Sequence, residues 1–187
     1  MSIKRLIAGS FLAASALAMP AAALAELPQG ASAPDFSTQG ALAGKVFNFK
    51  LKAALKKGPV VLYFYPKSFT QGCSIEARAF AAASQDFKAA GATLIGLSAD
   101  TIQTQQDFGR KDCSDKFPVG VASPAIIAAY DVHLKKPDGS ATGLSSRTSY
   151  VIGRDGKVKL VYTDMKPNEH VTRTLAAVRA LHGGRHH

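Results

Sequence analysis

The chain has two cysteines, Cys73 and Cys113, and these are its strongest candidates for covalent chemistry. Cys73 closes the stretch Pro66-Lys67-Ser68-Phe69-Thr70-Gln71-Gly72-Cys73. Before it, the apolar run Val60-Val61-Leu62-Tyr63-Phe64 suits a buried strand, and after it residues 74–90 suit a helix. A cysteine where a helix opens meets unpaired backbone N–H groups and the positive end of the helix dipole, which favour a thiolate over a thiol. Such a thiolate is a nucleophile and a target for oxidation. Cys113 is then either its redox partner or the other half of a structural disulfide. Closing a loop of about 40 residues would stabilise the fold by roughly 4 kcal/mol, so spacing leaves both readings open.

The elements that must position these residues are legible in outline. Residues 26–33 are rich in Pro, Gly, Ser and Ala and read as a loose lead-in. Residues 46–51 give a weak strand signal, and residues 52–57 one helical turn stopped by Gly58-Pro59. In the helix after Cys73, the residues Ile75, Ala79, Ala83 and Phe87 recur at near-helical spacing, and Gly91 ends it. Residues 92–98 form a second buried strand. Asp100 is placed to cap a helix over residues 101–112, with Cys113 at or just past its end. A short strand over 117–121 and a short helix over 124–130 follow. Residues 135–146 read as a long surface loop. Residues 149–152 and 157–162 flank Gly153-Arg154-Asp155-Gly156 as a hairpin, and residues 171–181 form a last amphipathic helix. Alternating strands and helices imply an α/β domain, a central mixed sheet covered on both faces.

The first 25 residues read as an address. Lys4 and Arg5 precede an apolar core, and Ala23-Leu24-Ala25 gives a small-x-small cleavage pattern. Residues 1–25 are therefore expected to be a signal peptide and residues 26–187 one domain. Export, with a bacterial periplasm as the compartment, would let disulfides persist. The formal charge is +10, two of it in Lys4 and Arg5. The basic residues are spread along the chain without aromatic interleaving or a nucleic-acid motif, which reads as a solvated surface. No nucleic acid and, once the signal is removed, no stable membrane association are expected. His182, His186 and His187 lack the paired spacing of a metal site, and no haem, flavin or nucleotide motif is visible, so no cofactor is expected.

Glu76 stands where a Cys-x-x-Cys motif would need its second cysteine, and Ala77 where Cys-x-x-x-Cys would, so dithiol exchange and copper-type spacings are excluded. What remains, Pro66-x-x-x-Thr70-x-x-Cys73 at a helix start, resembles the peroxiredoxin signature. The wider stretch from Tyr63 through Ala77, with Phe117-Pro118 and Arg147-Thr148-Ser149-Tyr150, is similar to the bacterioferritin-comigratory-protein or peroxiredoxin Q branch. The resemblance implies a thioredoxin-like fold and a thiol peroxidase acting on hydrogen peroxide and organic hydroperoxides. A thioredoxin-like reductant would recycle it, and a monomer is expected. It departs from the family pattern in Gln71, where Pro is common, and in Ser74, where Thr is common.

By the same resemblance Cys73 is the peroxidatic nucleophile and Thr70 hydrogen-bonds the peroxide. Arg147 stabilises thiolate and developing charge, Glu76 orients Arg147, and Pro66 shields the site from water. Ionisation alone cannot make such an enzyme fast: a free thiol is already a few per cent thiolate at neutral pH, so a lower pKa adds at most about 30-fold. Nucleophilicity also falls with pKa. Positioning and electrostatic stabilisation must supply the rest. Bland alternatives stand beside each role: Thr70 as a helix cap, Pro66 as a strand terminator, Arg147 and Glu76 as surface charges.

One subgroup of the family carries its resolving cysteine five residues after the peroxidatic one, where this chain has Arg78. Another places it on the following helix, which matches Cys113 and implies a Cys73–Cys113 redox disulfide. Helix rise puts Cys113 about 20 Å along that helix, while Cys73 is at its own helix start. The two thiols are thus expected to lie apart when reduced and to need local unfolding to join. Remaining alternatives are a one-cysteine peroxidase, a peroxide sensor that oxidises once, and a non-catalytic module with a structural disulfide.

Overall fold

β3 (Val60–Phe64) is buried along its whole length because both of its faces are covered. In this computed structural model, which describes residues 26–183, side chains alternate across the strand. Val60, Leu62 and Phe64 enter one apolar cluster, and Val61, Tyr63 and the following Tyr65 enter the other. The expected signal segment 1–25 and the terminal His186 and His187 lie outside the described residues.

The elements in order are β1 (Ser37–Leu42), β2 (Lys45–Lys50), α1 (Leu51–Lys57), β3, α2 (Gln71–Ala89), β4 (Thr93–Ser98), α3 (Ile102–Lys111) and β5 (Val119–Val121). Then follow α4 (Pro124–Ala129), β6 (His133–Lys135), β7 (Ala141–Ser145), β8 (Thr148–Ile152), β9 (Val158–Thr163) and α5 (His170–Gly183). The main sheet runs β2-β1-β5-β4-β3-β8-β9. β3, β4 and β5 pair in parallel, and β8 and β9 add antiparallel to the β3 side. Both crossovers, through α2 and α3, move the same way across the sheet, which puts both helices on one face. α2, α3 and α5 supply Phe80, Phe87, Phe108, Leu175 and Val178 to that side of the core. α1 and α4 cover the other with Leu51, Ala54, Ile126 and Ile127.

Four expectations need correction. The buried stripe of α2 is Cys73, Ala77, Phe80 and Phe87, whereas Ile75 is 47% exposed. Steps of four drift by about 40° each against a 3.6-residue turn, and Phe80, stacked on Tyr63 at 4.4 Å, fixes the phase. Thr101, not Asp100, caps α3, its hydroxyl accepting from the Thr104 N–H. Residues 135–146 are not simply a loop: β6 and β7 pair there as a two-stranded ribbon. The ribbon is largely exposed, so no apolar alternation marks it. Residues 26–33 are tied to β9 rather than loose, with the Ala33 N–H donating to Gly156 O and the Val158 N–H to Ala31 O. β1, whose polar sequence carries no signal, joins β2 to the sheet.

Candidate active site

The loop between β3 and α2 is pinned by buried polar contacts. The Tyr65 hydroxyl donates to Gln105 Oε1 at 2.6 Å, and the Ser68 N–H to Asp100 Oδ2 at 2.7 Å. Ser98 Oγ, itself accepting from Gln105 Nε2, donates to the same carboxylate oxygen. Asp100, freed from capping α3, holds the Cys73 loop instead. Phe69 takes φ +64, a conformation L-residues avoid at a cost on the order of 1 kcal/mol. Its ring meets the edge of Phe108, centroids 5.3 Å apart. Pro66 is half-buried and ends the strand.

Thr70 occupies the cap position of α2 but caps nothing: its hydroxyl donates to Lys67 O at 2.8 Å. With the proton committed there, the oxygen keeps lone pairs free to accept. The first hydrogen bond of the helix is Ser74 N–H to Thr70 O, so the N–H groups of Gly72 and Cys73 precede the helical ladder.

Cys73 is 1% exposed, and Arg147 Nη2 donates to its Sγ at 3.4 Å. Arg147 comes from the residue before β8, the antiparallel neighbour of β3. Gly72 gives it room: a Cβ there would stand 3.0 Å from Nη2. Arg147 is only 3% exposed and is held from two further sides. Its Nε donates to Met165 O at 2.9 Å, and its Nη1 pairs with Glu76 Oε2. Glu76, one turn after Cys73, is fully buried. Burial pushes its carboxyl up, against the pull of the Arg147 guanidinium.

The other oxygen of Glu76, Oε1, has no hydrogen-bond partner among the described residues, and His170 Nδ1 lies 3.7 Å away. His170 Nε2 meets Asp164 O at 2.8 Å, and its Nδ1 meets Ser149 Oγ at 2.8 Å. A carbonyl only accepts, so Nε2 carries the proton and Nδ1 accepts from Ser149. Burial holds the imidazole neutral by lowering its pKa, with Arg147 adding to the same effect. Sequence reading missed His170 and Ser149. Ser149 was within reach, two residues from Arg147 and so on the same face of β8; nothing marks His170 in the sequence.

Cys113 follows the end of α3, and both cysteines are free, buried thiols. The expected offset of about 20 Å overstates their separation. Phe108 of α3 packs on Tyr65 and Phe69 of the β3–α2 connection. The end of α3 meets α2 directly: Ser74 Oγ donates to Asp112 Oδ2 at 2.9 Å, and Arg78 Nη2 to Asp112 Oδ1 at 2.6 Å. Burial, with the Asp112 and Asp115 carboxylates beside it, pushes the Cys113 thiol well up from its ordinary value.

The structure thus gathers Cys73, Arg147 and Glu76 into one hydrogen-bonded group, with Thr70 and Pro66 on the adjoining loop and Cys113 past the end of the neighbouring helix. A thiol held by a guanidinium at an N-terminal helix turn can attack an electrophile and have its product charge stabilised.

The sequence model of the AhpC/TSA family matches residues 29–161. A chloroplastic peroxiredoxin Q of Sedum lineare is 30% identical over 178 residues, covering 93% of this chain and 90% of its own. Among solved structures, the peroxidoxin BcpB of Mycobacterium tuberculosis superposes with a TM-score of 0.72 at 28% identity, over 82% of this chain and 97% of that one. The bacterioferritin comigratory protein of Xanthomonas campestris, described for its alkyl peroxide reduction activity, gives 0.68 at 28% identity, over 77% and 91%.

Proposed function

The chain belongs to the AhpC/TSA family, as a thiol-dependent peroxidase of the peroxiredoxin Q type, and on that premise we propose that Cys73 is its peroxidatic nucleophile and Cys113 its resolving cysteine. The Cys73 sulfur, as thiolate, attacks the nearer oxygen of the peroxide. The O–O bond breaks, the sulfur becomes a sulfenic acid, and the hydroxide or alkoxide that leaves takes a proton from water. The observation that carries this reading is the 3.4 Å contact from Arg147 Nη2 to Cys73 Sγ. It sets a cation where the thiolate reacts and where negative charge develops. Thr70 Oγ1 accepts from the peroxide O–H, the N–H groups of Gly72 and Cys73 face its oxygens, and Pro66 limits water. Glu76 holds the guanidinium in place from the side away from the sulfur.

In the second step the Cys113 sulfur bonds to the Cys73 sulfur and the S–O bond breaks. The hydroxide released is protonated to water with the proton from the Cys113 thiol. A thioredoxin-like dithiol then returns two electrons and two protons. Hydrogen peroxide and alkyl hydroperoxides are the proposed substrates, the latter supported by the likeness to the Xanthomonas protein. We place the protein in a bacterial periplasm as a monomer, with residues 1–25 as its removable signal. Among the described residues no helix is long and apolar enough to cross a membrane.

Titrating reduced protein with one equivalent of peroxide tests the chemistry. Wild type is expected to lose both thiols, and Cys113→Ser to accumulate a trappable sulfenic acid. Loss of thiol in Cys73→Ser at the wild-type rate would sink the assignment.

A further inference from the structure

The segment that carries Cys113 meets α2 through the ring contact of Phe117 with Phe80 and through one buried carboxylate, Asp112. Asp112 has a side chain 2% exposed, and both of its oxygens are engaged. Oδ2 accepts from Ser74 Oγ, and Oδ1 accepts from Arg78 Nε at 3.1 Å and from Arg78 Nη2 at 2.6 Å. Ser74 follows Cys73 and Asp112 precedes Cys113, so this contact joins the backbone beside one sulfur to the backbone beside the other.

The turn beyond Cys113 does not hold this shape by its own preference. Ser114 and Asp115 have φ +48 and +52, two consecutive non-glycine residues in the left-handed region. Backbone bonds from the Asp115 N–H to Gly109 O and from the Lys116 N–H to Cys113 O close the turn, and such a conformation persists only where its surroundings over-determine it. Its fastening is accessible from one end only: Arg78 is 64% exposed, whereas the Ser74 contact is buried.

From these contacts we infer that Asp112, gripped by Ser74 and Arg78, is a latch that must open before Cys113 can attack the oxidised Cys73, so that these three residues set the rate of disulfide formation. The inference rests on the reading of Cys113 as the resolving cysteine. While the latch is closed, Cys113 is fully buried in the apolar cluster that holds Tyr63, Phe80 and Phe117. Its thiol is kept protonated by burial and by the carboxylates of Asp112 and Asp115. A thiol attacks sulfur as its thiolate, so the closed state is silent. Opening frees the strained turn and exposes the sulfur to water, where the charge of the neighbouring carboxylates is screened. The bond then made is Cys113 Sγ to Cys73 Sγ, with the S–O bond of the sulfenic acid broken and water released.

The latch makes a competition measurable. A sulfenic acid that waits can meet a second peroxide and become a sulfinic acid. Reduced full-length wild type, Arg78→Ala, Arg78→Lys, Asp112→Ala and Cys113→Ser are pulsed with hydrogen peroxide, quenched at intervals, and counted by mass spectrometry as thiol, trapped sulfenic acid, disulfide and sulfinic acid. Arg78→Ala and Asp112→Ala are expected to lose the Cys73 thiol at the wild-type rate but to form the disulfide about tenfold faster, the scale of one charge-assisted hydrogen bond. They should also yield less sulfinic acid under excess peroxide. Arg78→Lys, which keeps a cation on Asp112, should stay near wild type. Arg78 is exposed enough that its alanine variant folds even if Asp112→Ala does not. Disulfide formation at or below the wild-type rate in Arg78→Ala overturns the latch alone. No Cys73–Cys113 disulfide in wild type, with sulfenic acid persisting as in Cys113→Ser, overturns the resolving role and the latch with it.

Discussion

Arg147 can be asked whether it acts on the chemistry or only on the fold. Arg147→Met keeps an unbranched apolar stem and removes the contacts with Cys73 Sγ, Glu76 and Met165 O. The stability loss has a ceiling. Glu76, left fully buried without its cation, escapes by taking a proton. Against an ordinary carboxyl value of 4.5, protonation at pH 7 costs about 3 kcal/mol. A carboxyl raised in the folded state leaves stability intact below that ordinary value and drains it as pH rises. Burial already raises this carboxyl to about 8 in wild type, so wild type and Arg147→Met lose stability alike up to that pH, and the gap between them in urea unfolding should open only above it. Adding Glu76→Gln to the variant removes the stranded charge and should close most of that gap. Peroxidase activity should not return with it. Loss of the donor at the sulfur and the leaving oxygen is expected to cost about 10²- to 10³-fold in kcat/KM, in the double variant as in the single. Recovery of activity together with stability in the double variant would refute the catalytic role and leave Arg147 a structural partner of Glu76.

Glu76→Gln alone reports on the same carboxyl with the guanidinium still present. Its stability relative to wild type should improve as pH rises above about 4.5, by at most on the order of 1 kcal/mol per pH unit, as read from urea midpoints between pH 5 and 8. A flat difference would mean that Arg147 fully offsets burial. Tyr63→Phe removes a buried hydroxyl with no hydrogen-bond partner among the described residues. It should stabilise the protein by about 1 kcal/mol, raising Tm by about 2–4 °C, with the rate of Cys73 oxidation unchanged.

What could be read from the sequence divides along physical lines. The β3–loop–α2 unit was legible because a wholly apolar run, a proline and a cysteine at a helix start each report a local constraint. Arg147 could be placed only by resemblance, since its approach to Cys73 depends on β8 pairing beside β3, a contact between residues 74 positions apart. His170 and the Asp112 contacts had no signal at all. A single histidine at a helix start, or a serine and an arginine one turn apart, looks like ordinary surface until packing closes over it. The 20 Å offset overstated the separation for a related reason: rise along one helix does not say where its end meets another, and here the contacts of Asp112 with Ser74 and Arg78 set that meeting point.

Burial does not distinguish the two cysteines, since both sit in the same apolar cluster with almost no exposure. The sign of the neighbouring charge does. Cys73 has the Arg147 guanidinium on its sulfur, whereas Cys113 is flanked by Asp112 and Asp115. In a low-dielectric site the carboxylates oppose an anion at Cys113, whereas the guanidinium lies against the sulfur of Cys73. The fold thereby supports a fixed order of events. On the roles proposed above, Cys73 reacts while the domain is intact, and Cys113 gains reactivity only when its segment leaves α2 and the carboxylates beside it are screened by water. Moving the charges should move the order: an Asp112→Asn, Asp115→Asn pair, alkylated under native conditions, should bring the Cys113 thiol closer in reactivity to Cys73 than it is in wild type, and an unchanged ratio would assign its silence to burial alone.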